Sequence, residues 1–341
     1  MYKKYIDSLI ENKELPGAVL YVSRKKEPLC YKAVGSFTGA NEQNYPITEK
    51  TLFDIASLTK VVATLPASLL MMAKGELHLE KEVQHYLPEF KHAEVTVEDL
   101  LTHRSGLPPD LPYVARNGQR DVMAVIYQTD LQQAPGKSVA YSDLGMILIG
   151  KIIEKIAGQP LDVFTKEQIF TPWGLHNTGF HLPANLKALA ASTEKVGSSF
   201  IQGEVHDEKA SHLGGVSGSA GLFSTAEDVG KFATHFLYPE EQDVIPPDLV
   251  LLATRHKQSN RGLGFEVWNG EGDSLSCGGS WPIGSFGHTG FTGTSVWVEP
   301  QKELVVVFLT NSVHYGRSTN IRTIRKTLHT MIYSSIQEEI S

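Results

Sequence analysis

Ser57 stands three residues before Lys60 in the run Phe53-Asp54-Ile55-Ala56-Ser57-Leu58-Thr59-Lys60. On a helix, residues three apart share a face, so the Ser57 hydroxyl and the Lys60 amine would be neighbours. A helix start also offers free N–H groups and a partial positive charge. The chemistry this allows is attack of an activated hydroxyl on a carbonyl. Alone the motif is weak, because Ser-x-x-Lys recurs at Ser23 to Lys26 and at Ser192 to Lys195. An N-cap serine with a solvated lysine explains it at least as well.

Two later segments add weight. Tyr141-Ser142-Asp143 follows the loop Ala134-Pro135-Gly136-Lys137 and precedes an apolar run. A tyrosine on a loop before a helix can point its phenol into a cleft. His288-Thr289-Gly290, flanked by Gly287, Gly293 and Ser285, precedes the strand-like Thr294 to Val298. Glycines there permit close approach of a ligand or a second backbone. Taken singly, each reads equally as a half-buried tyrosine or a glycine-rich turn.

The elements that must position these residues follow from pattern. Val61 to Lys74 is apolar as a buried helix would be, with Gly75 as its C-cap and Pro66 implying a kink. Tyr2 to Glu14 predicts a helix, and Ala18–Val22 and Leu29–Val34 predict paired strands. Thr96-x-x-Asp99 and Ser224-Thr225-Ala226-Glu227 resemble capping boxes. Asp121 to Gln128 and Ser142 to Ala157 predict helices, the second amphipathic. Gly264 to Trp268, Thr294 to Val298 and Leu304 to Leu309 predict strands, and Thr319 to Ile336 a closing helix. Strands at both ends and helices between imply an α+β architecture: one antiparallel sheet built from both termini, flanked by helices, with a mainly helical lobe inserted. The expected division is an α/β lobe over about 1–60 and 260–341 and a helical lobe over about 61–259, together one catalytic domain.

Composition narrows the class. The chain has 341 residues and a formal net charge of -7, which argues against nucleic-acid binding. Two distant cysteines, Cys30 and Cys277, fit a reducing compartment rather than a disulfide framework. The start carries no apolar signal core. Val61 to Ala73 is too short for a bilayer and contains Thr64, Pro66 and Ser68. A soluble cytoplasmic protein is expected, with oligomeric state open.

In this order the three segments resemble the penicillin-recognising serine hydrolases, closest to the class C β-lactamases and the esterases and peptidases that share their fold. The match spans nearly the whole chain and includes Leu100 to Leu107 and Gly221 to Thr225. The resemblance implies that Ser57 becomes acylated and that Lys60 and Tyr141 share removal and return of its proton. It implies an oxyanion hole from the backbone N–H groups of Ser57 and Phe291, worth about 3 kcal/mol per donor. Asp143, His288, Thr289 and Gly290 would contact substrate, and no metal or cofactor is needed. Two departures stand out. The second motif usually ends in Asn and here ends in Asp143, which when ionised cannot donate to a substrate carbonyl and favours a charged Lys60. The third motif usually begins with Lys and here begins with His288, so a permanent cation for a substrate carboxylate is missing. Both point away from penicillins and toward an ester or amide.

Gly203 to Ala210, running into Gly214 to Gly221, resembles a branch linked to cell-wall recycling that includes muramyl amidases, although that branch often has His where Ser219 stands. A muropeptide amidase or D-alanyl carboxypeptidase is therefore an alternative to an esterase, as is a catalytically silent module on the same fold. The metallohydrolase reading is weak, because no His-x-His or His-Glu-x-x-His occurs. The absence of Gly-x-Ser-x-Gly argues against an α/β-hydrolase.

Overall fold

The computed structural model describes residues 1–271 and 275–338; residues 272–274 and 339–341, which the expected α/β lobe includes, lie outside the described residues. Its centre is a seven-stranded sheet. Gly17–Arg24 pairs antiparallel with Glu27–Thr38 on one side and with Leu304–Thr310 on the other. From Leu304–Thr310 the sheet continues through Ser295–Glu299 and Phe286–Thr289 to Glu266–Val267. Asn44–Pro46 closes the opposite edge. The N-terminal and C-terminal strands thus lie side by side, and Leu304–Thr310 is buried along its whole length. A strand covered on both faces must read as an unbroken apolar run, and Leu-Val-Val-Val-Phe-Leu does.

One face of the sheet carries the helices Tyr2–Glu11 and Ile321–Glu338, which close a core around Ile6, Leu9, Trp281, Trp297, Leu328 and Ile332. The other face supports a larger core reaching through Val61, Leu65, Leu100, Leu144, Ile149 and Phe232. The helix Asp143–Ala157 runs through that core and ends at Gly158, whose φ of 65° is the left-handed cap glycine favours. Thr96 and Asp99 form the expected capping box. At the later site the partner of Thr225 is the N–H of Asp228, one residue past the Glu227 expected to close the box.

The segment after Ser57 departs from the expected single helix. Ala56–Leu58 is a 3-10 turn, Lys60–Thr64 a π turn, and only Leu65–Ala73 is α-helical. Pro66 is the second residue of the α segment, which follows directly on the π turn. The helical run is also longer than its apolar core suggested. Ala56–Ala73 spans 18 residues and is apolar enough to cross a bilayer by composition, but 78% of it is buried in the protein. His288 and Thr289 belong to a further strand, Phe286–Thr289, ahead of the one predicted at 294–298. Gly287 hides it from the pattern, because a side chain there would collide with the Trp297 ring.

Candidate active site

The site begins with a forced turn. Ala56 has φ +47°, a left-handed conformation that costs a non-glycine residue about 1–3 kcal/mol. Buried Asp54 holds the turn, its Oδ1 accepting from the Ala56 N–H at 2.8 Å and its Oδ2 from the His206 N–H at 2.6 Å. Thr292 Oγ1 donates to Asp54 O at 2.7 Å and Thr294 Oγ1 to Ile55 O at 3.0 Å. The chain from Gly290 to Thr294 is thereby fastened against the backbone that presents Ser57. A Cβ on Gly290 would stand 2.5 Å from Ile55 O, so only glycine allows this contact. Behind it, Arg325 Nη1 donates to Gly290 O and to Thr294 O, each at 3.0 Å.

Ser57 is partly exposed, whereas Lys60 is wholly buried. Lys60 Nζ donates to Ser57 Oγ and to Ser219 O and pairs with Asp143 Oδ1, all at 2.8 Å. The first two are hydrogen bonds and the third is an ion-pair contact. Burial pulls the lysine pKa down, but the Asp143 carboxylate and the Tyr141 phenol raise it further, and the net direction is up. Burial pushes Asp143 up, while Lys60 and then Lys209 pull it below the ordinary carboxylate range. The directions agree: Lys60 is an ammonium and Asp143 a carboxylate. Lys209 extends the network, 3.4 Å from Asp143, 2.8 Å from Asp110 and 3.1 Å from Asp207.

Tyr141 lies over this pair, its ring 5.2 Å from Lys60 Nζ. The segment around it is stitched to residues 103–109. The Ala140 N–H donates to His103 O at 2.8 Å, the Ser142 N–H to His103 Nδ1 at 3.2 Å, Ser142 Oγ to Pro108 O at 2.7 Å, and the Asp143 N–H to Pro109 O at 3.0 Å. The imidazoles of His103 and His288 flank the phenol, with ring centroids 4.5 and 5.9 Å away. His288 Nδ1 lies 2.8 Å from Thr289 O and must donate to it, which leaves Nε2 as an acceptor. Burial, then Lys60 and Arg261, push His288 far below the ordinary imidazole range. His103 is lowered in the same way, by burial, then Arg261 and Lys60. Both rings are neutral at pH 7.

Ser57, Lys60, Tyr141, Asp143 and His288 are thus brought together, with Thr289 ending the strand Phe286–Thr289 and Gly290 just past it. Phe291 presents a ring 54% exposed at the rim, stacked on His206 at 5.7 Å. Reasoning from sequence missed Lys209, the Ser219 carbonyl, His103, Arg325 and Arg261. Lys209 and Ser219 lay inside the stretch already singled out from 203 to 221, but nothing local tied them to Lys60. Arg261 follows Ser259 and Asn260, both left-handed at φ +46° and +58°. That marks a tight turn which its sequence, Ser-Asn-Arg-Gly, could have suggested.

The family model described as Beta-lactamase matches residues 3–330. An N-acetylmuramyl-L-alanine amidase of Bacillus subtilis (strain 168) is 31% identical over 360 residues, covering 91% of this chain and 80% of its own. An Escherichia coli (strain K12) protein provisionally named D-alanyl-D-alanine carboxypeptidase is 31% identical over 312 residues, covering 80% of this chain and 72% of its own. Among solved structures, EstCE1, a hydrolase with promiscuous acyltransferase activity, superposes with a TM-score of 0.77 at 23% identity, over 95% of this chain and 97% of its own.

Proposed function

We propose, on the premise that this chain belongs to the β-lactamase family and is a serine hydrolase, that it cleaves an amide or ester of a peptidoglycan-derived peptide through an acyl-enzyme on Ser57, with Tyr141 and not Lys60 as the base. The observation that carries this reading is the ion pair of the buried Lys60 nitrogen with Asp143 Oδ1 at 2.8 Å, beside its hydrogen bonds to Ser57 Oγ and Ser219 O. An ammonium held by that carboxylate has no lone pair with which to accept the serine proton. Because Ser57 Oγ accepts from Lys60, its own hydrogen is free to point elsewhere, and the Tyr141 ring lies 5.2 Å from the same Lys60 nitrogen.

In the proposed sequence, the Ser57 proton passes to Tyr141 Oη as Oγ bonds to the substrate carbonyl carbon, while the phenol hydrogen moves on toward the leaving atom. Lys60 and Arg261, both against the Tyr141 ring, supply counter-charge to the developing oxyanion. The backbone N–H groups of Ser57 and Phe291 receive the oxyanion. Tyr141 returns the proton to the leaving nitrogen or oxygen as that bond breaks. Water then attacks the ester, and the same groups run in reverse. Thr289 and Gly290 line the bound acyl chain.

Support for a cell-wall peptide comes from the names of the two relatives at 31% identity, an amidase and a carboxypeptidase. Asp143 counts against efficient penicillin turnover, since its carboxylate is spent on two lysines and has no hydrogen to donate. Cytoplasmic location is part of the proposal, supported by the two free, buried cysteines; cell fractionation tests it. The chemical test is hydrolysis of p-nitrophenyl acetate by wild type and Ser57→Ala. Equal rates rule out Ser57 as the nucleophile. Intact mass after incubation with muramyl peptides and penicillins should show an adduct on the wild type alone.

A further inference from the structure

The helix Ile321–Glu338 buries an apolar face built from Ile321, Ile324, Leu328, Ile332 and Ile336. Arg325 interrupts that face. It is 6% exposed, and its Nε is buried without a hydrogen-bond partner. Burial pulls its pKa down to about 10, which leaves it a cation at neutral pH. Among the described residues no carboxylate stands within ion-pair distance of it; Glu266 attracts it from further off and is bonded to Ser276 Oγ at 3.0 Å. A buried charge without a paired carboxylate is costly, so packing alone does not account for an arginine here. Nor does the turn it touches. The Gly290 N–H donates to Thr294 O at 2.7 Å and the Gly293 N–H to Gly290 O at 3.1 Å, so the turn is closed by its own backbone. Arg325 Nη1 adds a second donor to each of those two carbonyls, at 3.0 Å. Without it neither oxygen would be left bare. What the arginine adds is charge.

We propose that Arg325 is a positioning residue for the oxyanion: its charge, held at Gly290 O, fixes and polarises the peptide unit whose other end is the Phe291 N–H. The Gly290 C=O and the Phe291 N–H belong to one planar trans unit, so they point in opposite directions. With the carbonyl turned back to the helix Ile321–Glu338, the N–H is turned away from it, and among the described residues that N–H has no acceptor. A charged donor makes a hydrogen bond about twice as strong as a neutral one, and hydrogen bonds in series polarise one another. As the Ser57 Oγ–carbon bond forms, the carbonyl electron pair moves onto oxygen. The new negative charge then meets one end of a peptide dipole whose other end rests on a buried cation. Arg325 touches no substrate and exchanges no proton; the serine proton goes to Tyr141. This inference rests on the serine hydrolase reading and on the oxyanion role given there to Phe291.

The experiment compares p-nitrophenyl acetate with its thionoester, in which sulfur replaces the carbonyl oxygen and accepts hydrogen bonds poorly. Arg325→Met removes the charge and keeps the bulk, Arg325→Gln keeps a donor without charge, and Arg325→Lys keeps the charge. Losing an oxyanion donor outright costs about a hundredfold or more, so a donor that stays but loses its support should cost kcat/KM on the oxygen ester about tenfold. The thionoester should lose less than about threefold, so the oxygen-to-sulfur ratio falls, and Arg325→Lys should recover part of both. Melting temperatures establish that the variants fold, and Arg325→Gln carries the test where Arg325→Met does not fold. If neither neutral variant folds, Arg325 is a structural staple and the proposal falls. It is also overturned by kcat/KM within about twofold of wild type in the neutral variants, or by an equal loss on both esters, as a displaced Ser57 would give. Ser57→Ala decides the hydrolase reading separately, whereas the ester ratio among the Arg325 variants speaks to the arginine alone.

Discussion

Asp143→Asn is the sharpest single perturbation of this site. The substitution keeps shape and removes one charge. Lys209 still has Asp110 at 2.8 Å and Asp207 at 3.1 Å, so the loss falls on Lys60, for which Asp143 is the paired carboxylate. Breaking a buried pair from one side costs about 3–5 kcal/mol. An unfolding entropy of about 2.1 cal/mol/K per residue over 341 residues gives about 0.7 kcal/mol/K. The melting temperature should therefore drop by about 4–7 °C at pH 7.

The pH dependence fixes the cause. In the wild type Asp143 lies below its ordinary 3.8 and Lys60 above its ordinary 10.5. The stabilisation from Asp143 is present above pH 3.8 and lost as pH falls through its lowered pKa. That from Lys60 is present below pH 10.5 and lost as pH rises through its raised pKa. In the variant, burial is no longer opposed by Asp143, so Lys60 sheds its proton at a lower pH than in the wild type. The deficit should be greatest in the neutral range and shrink before pH 10.5 is reached. Scanning fluorimetry from pH 5 to 10 measures it. A melting temperature unchanged across that range would refute the ion pair and, with it, the argument that Lys60 cannot be the base. The same variant restores the amide usual in the family's second motif, and labelled penicillin should acylate it faster than it acylates the wild type.

Two further outcomes follow from the same geometry. His288 and His103 are held neutral by burial first and by neighbouring cations second, so neither loses a proton as pH rises from 5.5 to 8. The profile of kcat/KM on p-nitrophenyl acetate should show no limb near 6.5, and a limb there that His288→Gln removes would contradict the neutral assignment. Gly290→Ala places a carbon 2.5 Å from Ile55 O and must shift the turn carrying Ser57. Overpacking of this kind costs about 1–3 kcal/mol, and a displaced nucleophile loses rate by about a hundredfold; a variant with wild-type kcat would show that the turn is not held by this contact.

What the sequence revealed was local. Ser57 and Lys60 are three residues apart, Tyr141 precedes an apolar helix, and Leu304–Thr310 is apolar without a break; each is visible in a short window. What it concealed is long-range or conformational. Ser219 lies 159 residues from the amine its carbonyl holds, and no periodicity joins them. The 3-10, π and α segments from Ala56 to Ala73 share one apolar composition, so pattern could not divide them. The strand Phe286–Thr289 went unread, because the glycine that lets it pack under Trp297 is also a turn residue.

The two departures from family pattern become coherent once the charges are placed. A carboxylate at position 143 fixes Lys60 as a cation, and a second lysine, Lys209, keeps that carboxylate ionised. Two lysines that share Asp143 have no capacity left for an anionic substrate. A lysine in place of His288 would add a further buried positive charge beside Lys60 and Arg261, the two cations that already push the His288 imidazole toward neutrality.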